Sequence, residues 1–290
     1  MVATIQYIEK VIETYEKAMR ANLQAERREG NIIELKANMA DEVMVTADLH
    51  GDRRNFNAIR QLANLAKFPG RHLVIQEVCH GGPTYPGSGG CMSHTLLEDV
   101  ARLKTEFPEQ VHFLMSNHEM AELMDYPIVK NQKMLNLLFR MGMQEQYGPA
   151  LAKVREAYLP FLRTLPLAVR VEGGVWISHT LPEHVDKLGM DLTLFDRTIT
   201  KEDLVAESPL FNFVWGRDFR QENADAFAER VGSNVLLHGH EPCPTGYEVP
   251  NTRQIIMDST GENGTYVLLK VGEEVSQEEV IQRIKRLRKR

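Results

Sequence analysis

Five short apolar runs in this 290-residue chain each give way to a side chain able to bind a cation, and this repetition narrows the fold more than any other feature. Residues 43–46 lead into Asp48-Leu49-His50, residues 73–75 into Glu77, and residues 111–115 into Asn117-His118-Glu119. Residues 175–178 stop at His179, and residues 235–237 at His238-Gly239-His240. Runs of this length between polar or glycine-containing segments read as strands, and strands alternating with helical periodicity indicate an α/β fold. In α/β sheets ligands bind where loops leave the carboxyl ends of strands, so these residues are expected to converge.

The surrounding segments supply the helices. Ile5, Ile8, Ile12, Tyr15 and Met19 recur at helical spacing, giving an N-terminal helix within 1–30. Ile59, Leu62 and Leu65 predict another. Residues 79–93 carry five glycines and two prolines and read as a loop. Thr95 with Glu98 has the spacing of a capping box, for a helix reaching about Lys104. Residues 119–165 read as a helical insertion, with Met134, Leu137, Leu138 and Met141 on one face. Residues 167–171 and 175–178 around Gly173-Gly174 predict a hairpin, and residues 255–257 and 266–269 two late strands. Ser276 and Glu279 open a final basic helix over 276–290, with Val280, Ile284 and Leu287 packing inward. No repeat or linker divides the chain, so one domain is expected, its catalytic core spanning 41–270.

Composition excludes several classes. The 34 Lys plus Arg against 40 Asp plus Glu leave a net charge of −6, which disfavours a nucleic-acid-binding body. The basic end reads instead as complementing a helix dipole. No apolar stretch approaches a membrane span and no signal-peptide core is present, so a cytoplasmic protein with no membrane partner is expected. Three cysteines without C-x-x-C spacing, Cys79, Cys91 and Cys243, suggest neither disulfides nor a zinc cage. Cys79 and Cys91 read as small packed hydrophobes.

Carboxylate, imidazole and amide oxygen together suit Mn, Fe or Zn, and a carboxylate can bridge two ions. In this order, Asp48-Leu49-His50, Glu77, Asn117-His118-Glu119, His179 and Gly239-His240 resemble the calcineurin-like metallophosphoesterases. The resemblance is to the serine/threonine phosphoprotein phosphatases and their bacterial and diadenosine-tetraphosphatase relatives. It runs from about Asp41 to Leu269 and includes Trp215-Gly216-Arg217, similar to a tryptophan-arginine element of the bacterial members. It implies two mixed β-sheets packed face to face and flanked by helices, with a helical insertion. It also implies two divalent metal ions, Mn first and Fe or Zn next. Asp48 and His50 would hold the first, Asn117, His179 and His240 the second, and Glu77 both. His118 would be the general acid and Arg217 a phosphate contact. The implied reaction is hydrolysis of a phosphate ester, on a phosphoprotein or small phosphorylated molecule, by metal-bound hydroxide. A dinucleoside polyphosphate is the next substrate class.

The second motif departs from the family's G-D-x-x-D-R-G, for the chain has Gln76-Glu77-Val78-Cys79-His80-Gly81-Gly82. His80 stands where an Asp orients the catalytic histidine, and Gly81 where an Arg grips phosphate. Arg53, Arg54 and Arg220 are the candidate replacements with Arg217, at least two of the four facing the metals, and His80 is a further candidate phosphate contact. The competing class is a catalytically impaired module that binds metal and phosphate. A His80 bonded to His118 would favour a rebuilt acid, and a His80 turned to solvent the module. His118-Glu119 begins like a zinc-protease motif, but Glu122 replaces the second histidine. The glycines from Gly82 lack the lysine of a phosphate loop. His238 reads as buried support for the site, Trp215 as core, and His72, His94, His112 and His184 as ordinary polar residues.

Overall fold

The computed structural model describes residues 3–288, and its main strands form two sheets. One runs in the order Arg28–Glu29, Ile32–Leu35, Ala168–Val171, Val175–Ser178, Val235–His238, Gln254–Met257 and Tyr247–Glu248. The other runs Ile284–Arg286, Thr265–Lys270, Glu42–Asp48, Arg71–Gln76 and Val111–Phe113. Both are mixed. Glu42–Asp48, Arg71–Gln76 and Val111–Phe113 are parallel, as are Val175–Ser178, Val235–His238 and Gln254–Met257, so their carboxyl ends emerge together within each sheet.

Side-chain alternation explains the layers. Val43, Val45 and Ala47 join Val74, Ile177 and Leu237 in a core between the sheets. Met44, Leu73, Ile75, Trp176 and Leu236 point the other way, into the core shared with the helices. Strands covered on both faces read as unbroken apolar runs, which is the pattern seen in the sequence. The Ile5–Gln24 helix packs against Ser93–Glu106 and Leu151–Arg163, with Tyr15 against Tyr158 and Phe161.

Several expectations need correction. The buried stripe of the first helix is Ile8, Val11, Tyr15 and Ala18, while Ile5 is 75% exposed. Ile32–Leu35 is a strand that the periodicity did not signal. Thr95 and Glu98 form no capping box: the helix starts at Ser93, and Glu98 is buried as acceptor for the hydroxyls of Tyr7 and Tyr147. The helical insertion is interrupted by a hairpin, Val129–Lys130 with Lys133–Met134. Met134 and Leu137 are exposed, and the inward side of the next helix carries Asn136, Phe139, Met143 and Tyr147. That helix turns a polar side chain inward because Asn136 bonds a buried carboxylate, Glu122.

The Ser276–Glu279 capping box is present, but the helix ends at Arg283. Ile284–Arg286 becomes an edge strand antiparallel to Thr265–Lys270, because pairing with that sheet satisfies its backbone. Lys289 and Arg290 of the basic end lie outside the described residues. Among the described residues no helix is long and apolar enough to cross a membrane.

Candidate active site

Each candidate ligand is delivered by the end of a buried strand. Asp48 closes Glu42–Asp48, and the turn after it carries His50; Leu49 and His50 donate their backbone N–H groups to the Glu77 carbonyl at 3.0 and 2.9 Å. Glu77 follows Arg71–Gln76. Asn117 and His118 open the Asn117–Met124 helix, whose cap Ser116 accepts from the N–H groups of His118 and Glu119. His179 follows Val175–Ser178, and His240 comes two residues after Val235–His238. His50, Glu77, His80 and His240 all adopt left-handed φ values, between 40° and 73°.

These residues meet. His50 Nε2 lies 3.2 Å from Glu77 Oε2, and His179 Nε2 lies 3.5 Å from Glu77 Oε1. Asn117 Oδ1 is 2.8 Å from His179 Nε2 and 3.2 Å from His240 Nδ1. The His240 N–H donates to both Asp48 carboxylate oxygens at 3.0 Å. Two sets of ligand atoms, His50–Glu77–His118 and Glu77–His179–His240, each lie within 4.8 Å of one another, and Glu77 belongs to both. His50 Nδ1 faces the His80 carbonyl at 3.0 Å, which leaves Nε2 for the site; ligating histidines are oriented in this way. A Cβ on Gly239 would come within 2.2 Å of Asp48 Oδ1, so only glycine lets that carboxylate sit there.

The charges are arranged as for a cation. Burial and the neighbouring Glu77 push the Asp48 carboxyl well above its usual range. Burial also acts to raise Glu77, but the imidazoles of His118, His50 and His179 outweigh it and hold Glu77 well below the carboxylate range. Burial acts to lower His50, but Glu77 outweighs it and raises the imidazole to about 9. His118 and His240 are both driven well below the imidazole range, first by burial. Glu77 Oε1, His179 Nδ1 and His240 Nε2 are buried without a hydrogen-bond partner. Buried polar atoms are normally paired, so orphaned oxygen and nitrogen atoms around a shared carboxylate fit divalent metal.

The second motif is rebuilt. His80 is buried, with Nδ1 3.0 Å from His118 Nδ1 and Nε2 2.8 Å from Glu122 Oε1. It is closed off from solvent and therefore is not a phosphate contact. Gly81 has φ +125°, and a Cβ there would sit 2.8 Å from the His50 carbonyl, so no arginine fits at this position.

The arginines divide. Arg54 and Arg53 line a cavity of about 770 Å³ bordered by His50, Gly82 and Thr260. The Arg53 guanidinium is held by Asp99 and Thr95. Arg217 donates to Glu241 at 2.5 Å and lies near enough to His240 to add to the lowering of its imidazole. Arg220 is drawn away, pairing with Asp186 and Asp218. Those carboxylates and His184 make a third ligand-like group, but Arg220 already supplies its positive charge.

Two residues escaped the sequence reading. Glu119 accepts the Val78 and Cys79 N–H groups at 3.0 and 2.8 Å and so shapes the loop after Glu77. Glu122 holds His80. The spacing from His118 to Glu122, one helical turn, was the available signal for the second.

The calcineurin-like phosphoesterase family matches residues 42–244. Among solved structures, a protein serine/threonine phosphatase from Saccharomyces cerevisiae superposes with a TM-score of 0.64 at 15% identity, over 90% of this chain and 82% of its own. A cold-active protein-tyrosine phosphatase from a psychrophilic Shewanella superposes with a TM-score of 0.58 at 14% identity, over 87% and 80%. At these identities the likeness is one of fold. No curated protein sequence matches the chain.

Proposed function

This chain belongs to the calcineurin-like phosphoesterase family, and on that premise we propose that it hydrolyses a phosphate monoester at a dinuclear metal site. Asp48, His50 and Glu77 would hold one divalent ion, and Glu77, Asn117, His179 and His240 the other, with manganese the first candidate. When bound, such a pair supplies neutralisation of phosphate charge and activation of the attacking water. The observation that carries this reading is Glu77, a buried carboxylate shared by the His50–Glu77–His118 and Glu77–His179–His240 groups, with one oxygen unpartnered.

His118 is the general acid in this reading. Its Nε2 lies 3.7 Å from Glu77 Oε1, in one group with His50 and Glu77, while Nδ1 is taken by His80. That bond favours the rebuilt acid over the impaired binding module. Arg217, near His240, and Arg54, lining the cavity with His50, are the phosphate contacts, Arg54 having no salt-bridge or hydrogen-bond partner among the described residues. The cavity beside His50 takes the leaving group, which suits a phosphorylated side chain or a small phosphorylated molecule. Three buried, free cysteines support residence in a reducing compartment such as the cytoplasm.

The test is hydrolysis of an aryl phosphate by metal-stripped protein reconstituted with Mn, with bound metal quantified. His118→Ala should keep its metal and lose about 10²- to 10⁴-fold in kcat, the range of a general acid. Asn117→Ala should lose metal and turnover together. Full metal occupancy without turnover of any phosphate monoester would overturn the hydrolase reading.

A further inference from the structure

The carboxylate that should touch the catalytic histidine is missing from the sequence, and the fold replaces it from another direction. Glu122 lies one turn beyond His118 on the Asn117–Met124 helix, and its side chain has no exposure to solvent. Its Oε1 accepts from His80 Nε2 at 2.8 Å and from Asn136 Nδ2 at 3.1 Å, and its Oε2 accepts from the Tyr158 hydroxyl at 3.0 Å. Phe139 stands edge-on to the His80 ring, 5.4 Å between centroids. The carboxylate therefore has a donor on each oxygen and the imidazole is walled in.

The donor and acceptor inventory sets the direction of the chain. An ionised carboxylate only accepts, so His80 Nε2 must carry a proton, and His80 Nδ1 is left to accept from His118 Nδ1 at 3.0 Å; the acid form of His118 carries its second proton on Nε2, the one it would give to the leaving oxygen. That contact occupies one ring nitrogen of His118 and leaves only Nε2 for a substrate. We infer that Glu122, acting through His80, is the positioning residue for His118: it fixes the plane of the His80 ring, which fixes the plane of His118 and aims Nε2 into the site. One imidazole is interposed between carboxylate and acid, and the carboxylate comes from the acid's own helix. This inference rests on the reading of His118 as the general acid. Its test separates the two.

Protein reconstituted with Mn is assayed on aryl phosphates ranging from 4-nitrophenyl to phenyl phosphate, comparing wild type with Glu122→Gln and Glu122→Asp. A positioned acid matters most when the leaving oxygen is hard to expel. Glu122→Gln should therefore lower kcat on phenyl phosphate by about 10- to 100-fold, the cost of a misplaced outer partner. It should leave 4-nitrophenyl phosphate, KM and metal content nearly unchanged, with partial rescue in Glu122→Asp. Equal losses on every substrate, or loss of metal, would mean that Glu122 is only structural and would overturn the inference. A second measurement needs neither a variant nor turnover: ring ¹⁵N NMR of the zinc-loaded protein should show His80 protonated at Nε2 and hydrogen-bonded. Absence of that proton overturns the inference even if the hydrolase reading stands. Its presence in a protein that turns over none of the esters keeps the arrangement and overturns the reading of His118 as the acid.

Discussion

Two clusters of buried histidines occupy opposite ends of the same parallel strands, and they are built on opposite terms. His72 and His112 lie near the amino ends of Arg71–Gln76 and Val111–Phe113, on the strands that end in Glu77 and lead to Asn117. Their rings stack with a 3° interplanar angle, and His72 Nδ1 meets His112 Nε2 at 2.8 Å. The nearby buried Lys104 ammonium donates to the carbonyls of Pro108 and Val111. At the carboxyl end, by contrast, two carboxylates face each other, ligand atoms stay unpartnered, and four non-glycine residues hold left-handed backbone, which costs about 1–2 kcal/mol each. The amino end leaves one imidazole nitrogen, His112 Nδ1, without a partner, whereas the carboxyl end leaves three atoms so around one shared carboxylate and adds backbone strain, which collects at functional sites.

The comparison breaks first at Asp48. Asp48→Asn should abolish Mn binding and lower kcat by about 10³-fold or more, since a metal site supplies several kcal/mol of transition-state stabilisation. The metal-free variant should nevertheless melt at or above wild type, because the repulsion with Glu77 is gone. Calorimetry on stripped protein, beside a metal assay, checks both halves. A large drop in melting temperature without metal would show that Asp48 stabilises the stripped fold and would remove the contrast between the two ends.

At the amino end the expected effect is smaller and appears in acid. Burial lowers His72 to about 4 and drives His112 well below its ordinary range. The unfolded chain takes up protons below about 6.5, while folded His72 stays neutral until about pH 4. The unfolded state thus binds more protons in that window, and stability must fall as pH drops through it, by about 3 kcal/mol for His72. Urea unfolding from pH 7 to pH 4 should show that slope, and replacing both histidines with leucine should flatten it. An unchanged slope would shift the acid sensitivity to the metal end.

Smallest is the contrast among the arginines. Arg220→Ala should leave kcat unchanged, because its partners lie away from the ligands, and lower the melting temperature modestly, because one of them, Asp218, is buried and would lose its cation. Arg54→Ala should raise KM for an aryl phosphate and leave kcat alone. Equal KM for both variants would remove Arg54 from the site.

Much of this was legible in the chain. Strands buried on both faces must be apolar throughout, so their limits show as runs, and a run ending in Asp48, Glu77 or His179 announces both an element and its chemistry. The Ser276–Glu279 box was readable because it is local. What failed were features owed to distant partners. Glu98 has capping spacing, but Tyr7 and Tyr147 take its carboxylate. The 134–141 stripe has helical spacing, but the helix turns Asn136 and Phe139 inward toward Glu122 and His80. Ile284–Arg286 continues a helical pattern, yet an open sheet edge takes its backbone.

The sequence by itself determined which residue types stand at the strand ends and in what order, and with them the family and the kind of chemistry. Only the tertiary structure decided what the altered second motif means. His80 and Gly81 read as losses until the fold places Glu122 behind one and the His50 carbonyl against the other. The reason is physical: element type follows from local periodicity, whereas a hydrogen bond between residues 42 positions apart depends on how two strand ends and a helix are packed together.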